Sequence, residues 1–144
     1  LCRYPELEVF PAALDFGIGV IPYMPLAGGL LTGKKKSQTG SRTSDVEREY
    51  GITLGETNQQ MTAFSTLCQE LGEKEHVVAI AWTLTRPAVA SPIVGVRTVE
   101  HLDGLDRAVE LELEPEVLEK LDTIFSPNKG RPLRVGQAPE AYAW

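Results

Sequence analysis

Two short apolar runs, Val20-Ile21-Pro22-Tyr23 and Pro92-Ile93-Val94, constrain this chain more than any other feature. Each is long enough for one buried strand, and each passes straight into a glycine-bearing loop. Helical patterns fill the interval between them. Strands separated by helices run parallel, so the order helix, strand, long loop, two helices, strand, helix, helix predicts β/α units. Two parallel strands neither close a barrel nor make a stable open sheet. The pattern predicts an α/β fold of which this chain supplies only part of the core.

The helices have their own signals. Residues 5–16 read as a short helix, with Pro5 in its first turn and Gly17 as its stop. Strand 19–23 follows, then a long connection over 24–56 rich in Gly, Ser, Thr and Lys; loops of that length in a compact domain are usually functional or mobile. Thr57-Asn58-Gln59-Gln60 fits a capping box, ahead of Met61, Phe64, Leu67, Cys68 and Leu71 at helical spacing. Val77 to Trp82 is apolar on most sides and predicts a buried helix ended by Arg86-Pro87. After the second strand a helix is expected from about Thr98, carrying Val99, Leu102, Leu105 and Val109 inward. A last helix opens at Glu114-Pro115 and packs Val117, Leu118, Leu121, Ile124 and Phe125. The tail 126–144 reads as irregular, and residues 1–144 as one domain.

Composition narrows the function. A net charge of −6 over 144 residues argues against general nucleic-acid binding, which needs a basic surface. No apolar stretch approaches the ~20 residues that span a bilayer. Cys2 and Cys68 are too few for a disulfide framework or a metal cluster, and His76 and His101 lack partners at ligand spacing. These features point to a cytoplasmic protein without a metal. Leu1-Cys2-Arg3-Tyr4-Pro5 is neither a signal peptide nor a natural start, which suggests processing or a chain that begins inside a longer protein.

The chemistry concentrates at the two strand-to-loop junctions. The first, Met24 to Lys34, breaks into Pro and Gly without becoming polar. Such loops bring main-chain N–H groups close to a phosphate, though the same glycines serve a tight turn. The basic run Lys34-Lys35-Lys36 reads as a solvated stretch or as a contact for an anion. At the second junction Thr98 fits a helix cap whose N–H groups attract anions, and Arg97 precedes it. On position alone, Arg97 reads equally as a phosphate fork and as a surface arginine at a helix start.

At this point Gly17-Ile-Gly-Val-Ile-Pro-Tyr-Met-Pro-Leu-Ala-Gly-Gly-Leu-Leu-Thr-Gly-Lys34 resembles the seventh-strand segment of the aldo-keto reductases. Val78-Ala-Ile-Ala-Trp82 with Ser91-Pro-Ile-Val-Gly-Val-Arg-Thr-Val-Glu-His-Leu102 resembles the same family's seventh helix, eighth strand and eighth helix. The resemblance runs from about Arg3 to about Phe125. It implies the C-terminal part of a (β/α)8 TIM barrel, and a parent enzyme that reduces aldehydes or ketones with NADP(H). Carried over by position, Tyr23 stacks on the nicotinamide, while Pro25, Leu26 and Gly28 line the pyrophosphate. Lys34 and the Ser41-Arg42 pair close the long loop over the cofactor. Gly95, Arg97 and His101 hold the 2′-phosphate and adenine, and an arginine there favours NADP over NAD.

The chain also departs from the family pattern. Met24 stands where Ser is frequent, His101 where Gln or Arg is usual, and Gly104-Leu105 where Glu-Asn commonly meets adenine. The family's catalytic Asp, Tyr, Lys and His belong to earlier strands, so the resemblance assigns no catalytic residue here and implies that this chain alone is inactive. The expected partners are a small carbonyl substrate and the missing N-terminal part of the barrel, or self-association to cover the open core. A non-catalytic NADP-binding regulatory subunit or pseudoenzyme is the second reading.

Overall fold

The computed structural model describes residues 3–33 and 54–126, with 54–58 by backbone alone. Lys34, Ser41 and Arg42, the rest of the loop to residue 53, Cys2 and the tail from 127 lie outside the described residues. The chain opens with a 3-10 turn at Tyr4–Glu6 and then forms α1 (Val9–Asp15), where one helix over 5–16 was expected. Pro11 explains the division: its ring would collide with the carbonyl four residues back, at Leu7, so a helix through 11 starts later. Gly17 stops α1 as expected. At φ +65° it forms a Schellman ending, with the Ile18 N–H donated to the Ala13 carbonyl at 2.7 Å and the Gly17 N–H to Leu14 at 3.2 Å.

The two apolar runs lie side by side and parallel, as the element order predicts, but they meet only at the bridges Val20↔Val89 and Tyr23↔Ile93. Neither 19–23 nor 92–94 forms a regular strand. The Val20 N–H donates to Ala88 O (2.7 Å) and the Ala90 N–H to Val20 O (2.9 Å). A regular ladder would next require N–H groups from Pro22 and Pro92, which have none. Ile93 donates to Pro22 O instead, at 2.8 Å, and the pairing slips by one residue between the two bridges. This is a bulge in effect, and it re-aims the side chains beyond it.

A 3-10 turn at Ala27–Thr32 follows the first run. α2 spans Leu54–Leu71, so it begins before the predicted capping box; Thr57 lies inside the helix and cannot be its cap. Gly72, at φ +68°, turns the chain into α3 (Glu75–Leu84). After the second run comes a 3-10 turn at Val99–Leu102, then α4 (Leu105–Glu110) and α5 (Pro115–Ile124). The helix predicted from Thr98 is therefore broken by Gly104 at φ +82°. That break rotates the apolar positions away from the core. Val99 is 78% exposed and Val109 74%, Leu102 is exposed, Leu105 is half-buried, and Ala108 is the residue that faces inward.

α3 is the centre of the packing. All six residues from Val77 to Trp82 are buried, as their sequence predicts. One side joins Phe64, Leu67 and Cys68 of α2 and Leu121 and Phe125 of the C-terminal helix region; the other joins Ala108 through Val77 and Ile80. Phe125 lies edge-on to Phe64 at 5.5 Å and tilted against Trp82 at 5.6 Å. The Trp82 ring also carries the guanidiniums of Arg3 (5.3 Å) and Arg86 (5.0 Å), both paired with Asp122. Arg3 further donates to the Phe125 carbonyl, which ties the first turn to the end of α5.

Phe125→Ala should destabilise the protein by about 3–5 kcal/mol, as an aromatic deletion that opens a cavity does, measured by urea unfolding. Cys68 is 1% exposed, and burial, aided by the Glu75 charge, pushes its thiol up to about 12. Native Cys68 should resist a disulfide reagent at pH 8 and react on denaturation. The unfolded chain releases this proton near pH 9, well before the native protein does. The stability linked to it is therefore complete below pH 9 and lost between 9 and 12, which alkaline denaturation of wild type against Cys68→Ala measures.

Candidate functional site

Parallel pairing places the ends of both apolar runs at one edge of the molecule. The Tyr23↔Ile93 bridge sets the first junction, from Met24, beside the second, from Gly95. Tyr23 is 63% exposed, so its ring stands at the surface where the first run ends. Pro25, Leu26 and Gly28 are half-buried behind it, and Leu26 packs against both apolar cores.

The first junction is strained. Met24 (φ +53°) and Ala27 (φ +49°) occupy the left-handed region without being glycine, followed by Gly28, Gly29 and Gly33, also at positive φ. A non-glycine residue there costs about 1–2 kcal/mol. Strain of this kind concentrates where backbone is held for a ligand. Four bonds hold the turn: the Ala27 N–H to Met24 O, the Gly29 and Leu31 N–H groups to Leu26 O, and the Thr32 hydroxyl to Gly29 O at 2.8 Å. Sequence reasoning found the glycines but missed Met24 and Ala27, whose conformation has no signature in residue type.

At the second junction Gly95 is exposed, and a Cβ built on it meets nothing within 4 Å. Arg97 is exposed, and among the described residues its guanidinium forms no ion pair that competes with a ligand. The Arg97 N–H donates to His101 Nδ1 at 3.2 Å, which closes the 97–101 turn and brings these two residues together. Thr98 occupies the cap position of Val99–Leu102 but makes no side-chain cap bond. Its hydroxyl goes to the Glu100 carboxylate, which that bond and the Glu100 backbone N–H hold below the usual range. The predicted helix-cap anion site is thus corrected: its turn is four residues long and an ionised carboxylate sits in it. Gly95, Arg97 and His101 make up the rest of this junction, with Arg97 as its cation and His101 accepting the Arg97 N–H.

The residues beyond are braced. The Asp103 carbonyl lies 2.9 Å from His76 Nε2, the Asp103 carboxylate pairs with Lys74, and Arg107 bonds Glu73 at 2.6 Å. A Cβ on Gly104 would stand 2.9 Å from Val77 Cγ2 and 3.2 Å from His76 Nε2, so the backbone lies too close to α3 for any side chain. Gly104 is therefore a packing requirement where the resemblance anticipates an adenine contact.

The Tyr23 and Arg97 junctions offer a dinucleotide an exposed aromatic residue, a backbone turn held at positive φ and, among the described residues, a guanidinium without an ion pair beside an open glycine. Among the described residues no group of three His, Cys, Asp or Glu gathers as a metal site. A surface hollow on α5, lined by Leu118, Asp122 and Ser126, includes neither junction.

The family model described as the aldo/keto reductase family matches residues 1–125. An uncharacterized oxidoreductase, YrpG, from Bacillus subtilis is 48% identical over 99% of this chain and 41% of its own length. The versiconal hemiacetal acetate reductase of Aspergillus parasiticus is 30% identical over 92% of the chain and 39% of its own. The glycerol dehydrogenase AKR11B4 of Gluconobacter oxydans superposes with a TM-score of 0.73 at 22% identity, covering 94% of this chain and 42% of the enzyme; the likeness is one of fold. The chain spans about two-fifths of the length of the curated relatives it matches. With residues 1–125 matched by the family model, the chain belongs to the aldo/keto reductase family.

Proposed function

We propose that this chain is the cofactor-gripping part of an NADP-dependent carbonyl reductase. The observation that carries the reading is the parallel Tyr23↔Ile93 bridge, which sets an exposed aromatic ring and a strained main-chain turn beside Gly95 and Arg97. Tyr23 offers its ring face to a nicotinamide. The backbone of Pro25, Leu26 and Gly28 follows the pyrophosphate, and Arg97 with His101 holds the 2′-phosphate. Lys34, Ser41 and Arg42 belong to the same proposal as the groups that complete the grip from the long loop.

The cofactor supplies hydride to an aldehyde or ketone. This chain's residues bind and orient; the reading gives none of them a proton-transfer role. The catalytic Asp, Tyr, Lys and His fall in the preceding strands of the barrel, in keeping with a chain that covers two-fifths of its relatives. The (β/α)8 barrel then explains why Ile18, Ile21 and Ile93 stand exposed at the two runs: neighbouring strands cover them. A cytoplasmic reductase acting on a small carbonyl compound completes the proposal.

The test is nucleotide preference. A charge-assisted contact to a phosphate is worth about 1.5–3 kcal/mol. Arg97→Ala should weaken NADP binding by about tenfold or more and leave NAD within about twofold, read by fluorescence titration of the intact protein. An unchanged ratio would remove Arg97 from the 2′-phosphate site.

A further inference from the structure

The resemblance gives Glu75 no role, yet its carboxylate sits against the end of the strained first junction. Gly33 closes the Ala27–Thr32 turn in the left-handed region, at φ +69°. A Cβ built on Gly33 would fall 2.5 Å from Glu75 Cδ and within 2.6 Å of both carboxylate oxygens. A side chain at 33 would have to displace this carboxylate, and the left-handed backbone there favours glycine independently. Glu75 is the first residue of α3, where the helix dipole favours an anion, and its carboxylate accepts the Ser65 hydroxyl from α2 at 3.0 Å. Two packed helices thus hold one carboxylate on the one glycine that ends the turn.

We propose that Glu75 is a positioning residue for the nucleotide: clamped by Ser65 and by the start of α3, it sets Gly33 and so the main-chain turn 27–33 that follows the pyrophosphate. The proposal rests on the cofactor-binding reading above. It makes two side chains, Ser65 and Glu75, and the Gly33 backbone act as one part. Glu75 does not touch the nucleotide, and its negative charge alone would oppose a phosphate. Its effect runs through the backbone.

The probes are NADP, which needs both junctions, and 2′-AMP, which carries only the 2′-phosphate and adenosine and so needs only the Arg97 junction. Both are titrated on the intact protein. Glu75→Ala should weaken NADP by about tenfold and leave 2′-AMP within about twofold. Glu75→Gln keeps the shape and an oxygen for Ser65, so it should retain wild-type NADP binding. Gly33→Ala should weaken NADP as Glu75→Ala does, and the double variant should be no worse than Gly33→Ala alone, because Glu75→Ala removes the carboxylate that the new methyl would meet. Equal losses of NADP and 2′-AMP in Glu75→Ala would mark general destabilisation and overturn the proposal. So would unchanged NADP binding, or additive losses in the double variant. Wild-type protein that binds neither probe would instead refute the cofactor reading, and this proposal with it.

Discussion

Burial of α3 on every side is the constraint from which the rest follows. A helix with six consecutive residues buried has no solvent face, so neighbours must cover both flanks. α2 and the end of α5 cover one flank, and α4 with Leu105 and Leu111 the other. Leu26 reaches both cores, which ties the turn after the first run directly to this helix. The candidate site is therefore mounted on a helix buried from Val77 to Trp82, although Tyr23, Gly95 and Arg97 are themselves exposed.

The division between a rigid mount and an exposed site suits a cofactor grip. Positive φ at Met24 and Ala27 is unfavourable locally and persists because packing and the short bonds of the turn over-determine it. At the second junction the His101 ring closes the 97–101 turn by accepting a main-chain N–H, a bond that requires an unprotonated Nδ1. Both junctions shape backbone first and present few side chains. That economy fits a ligand recognised by its phosphates and a flat ring.

Much of this was legible in the residues. The parallel order, the buried Val77–Trp82 helix, the Gly17 stop and the Leu121–Phe125 packing all follow from apolar spacing and from turn chemistry. The helix from Thr98 was misread because apolar residues at 99, 102, 105 and 109 fit one helical face, while the glycine at 104 fits left-handed backbone that ends it. The regular strands failed on Pro22 and Pro92, each unremarkable alone. Only their facing positions in adjacent runs remove successive ladder bonds and slip the pairing.

The sequence by itself determined the family, the element order and most of the core, because hydrophobic periodicity and the two glycine-bearing junctions are local patterns. It also pointed to Tyr23, Gly95 and Arg97. Tertiary structure alone decided that the two junctions share an edge through a bulged parallel bridge, that Gly104 is glycine because α3 leaves no room, and that Glu75 lies against Gly33. The reason is the same in each case. These contacts join residues 27 to 70 positions apart, or depend on a φ angle, and neither quantity is written in the identity of any single residue.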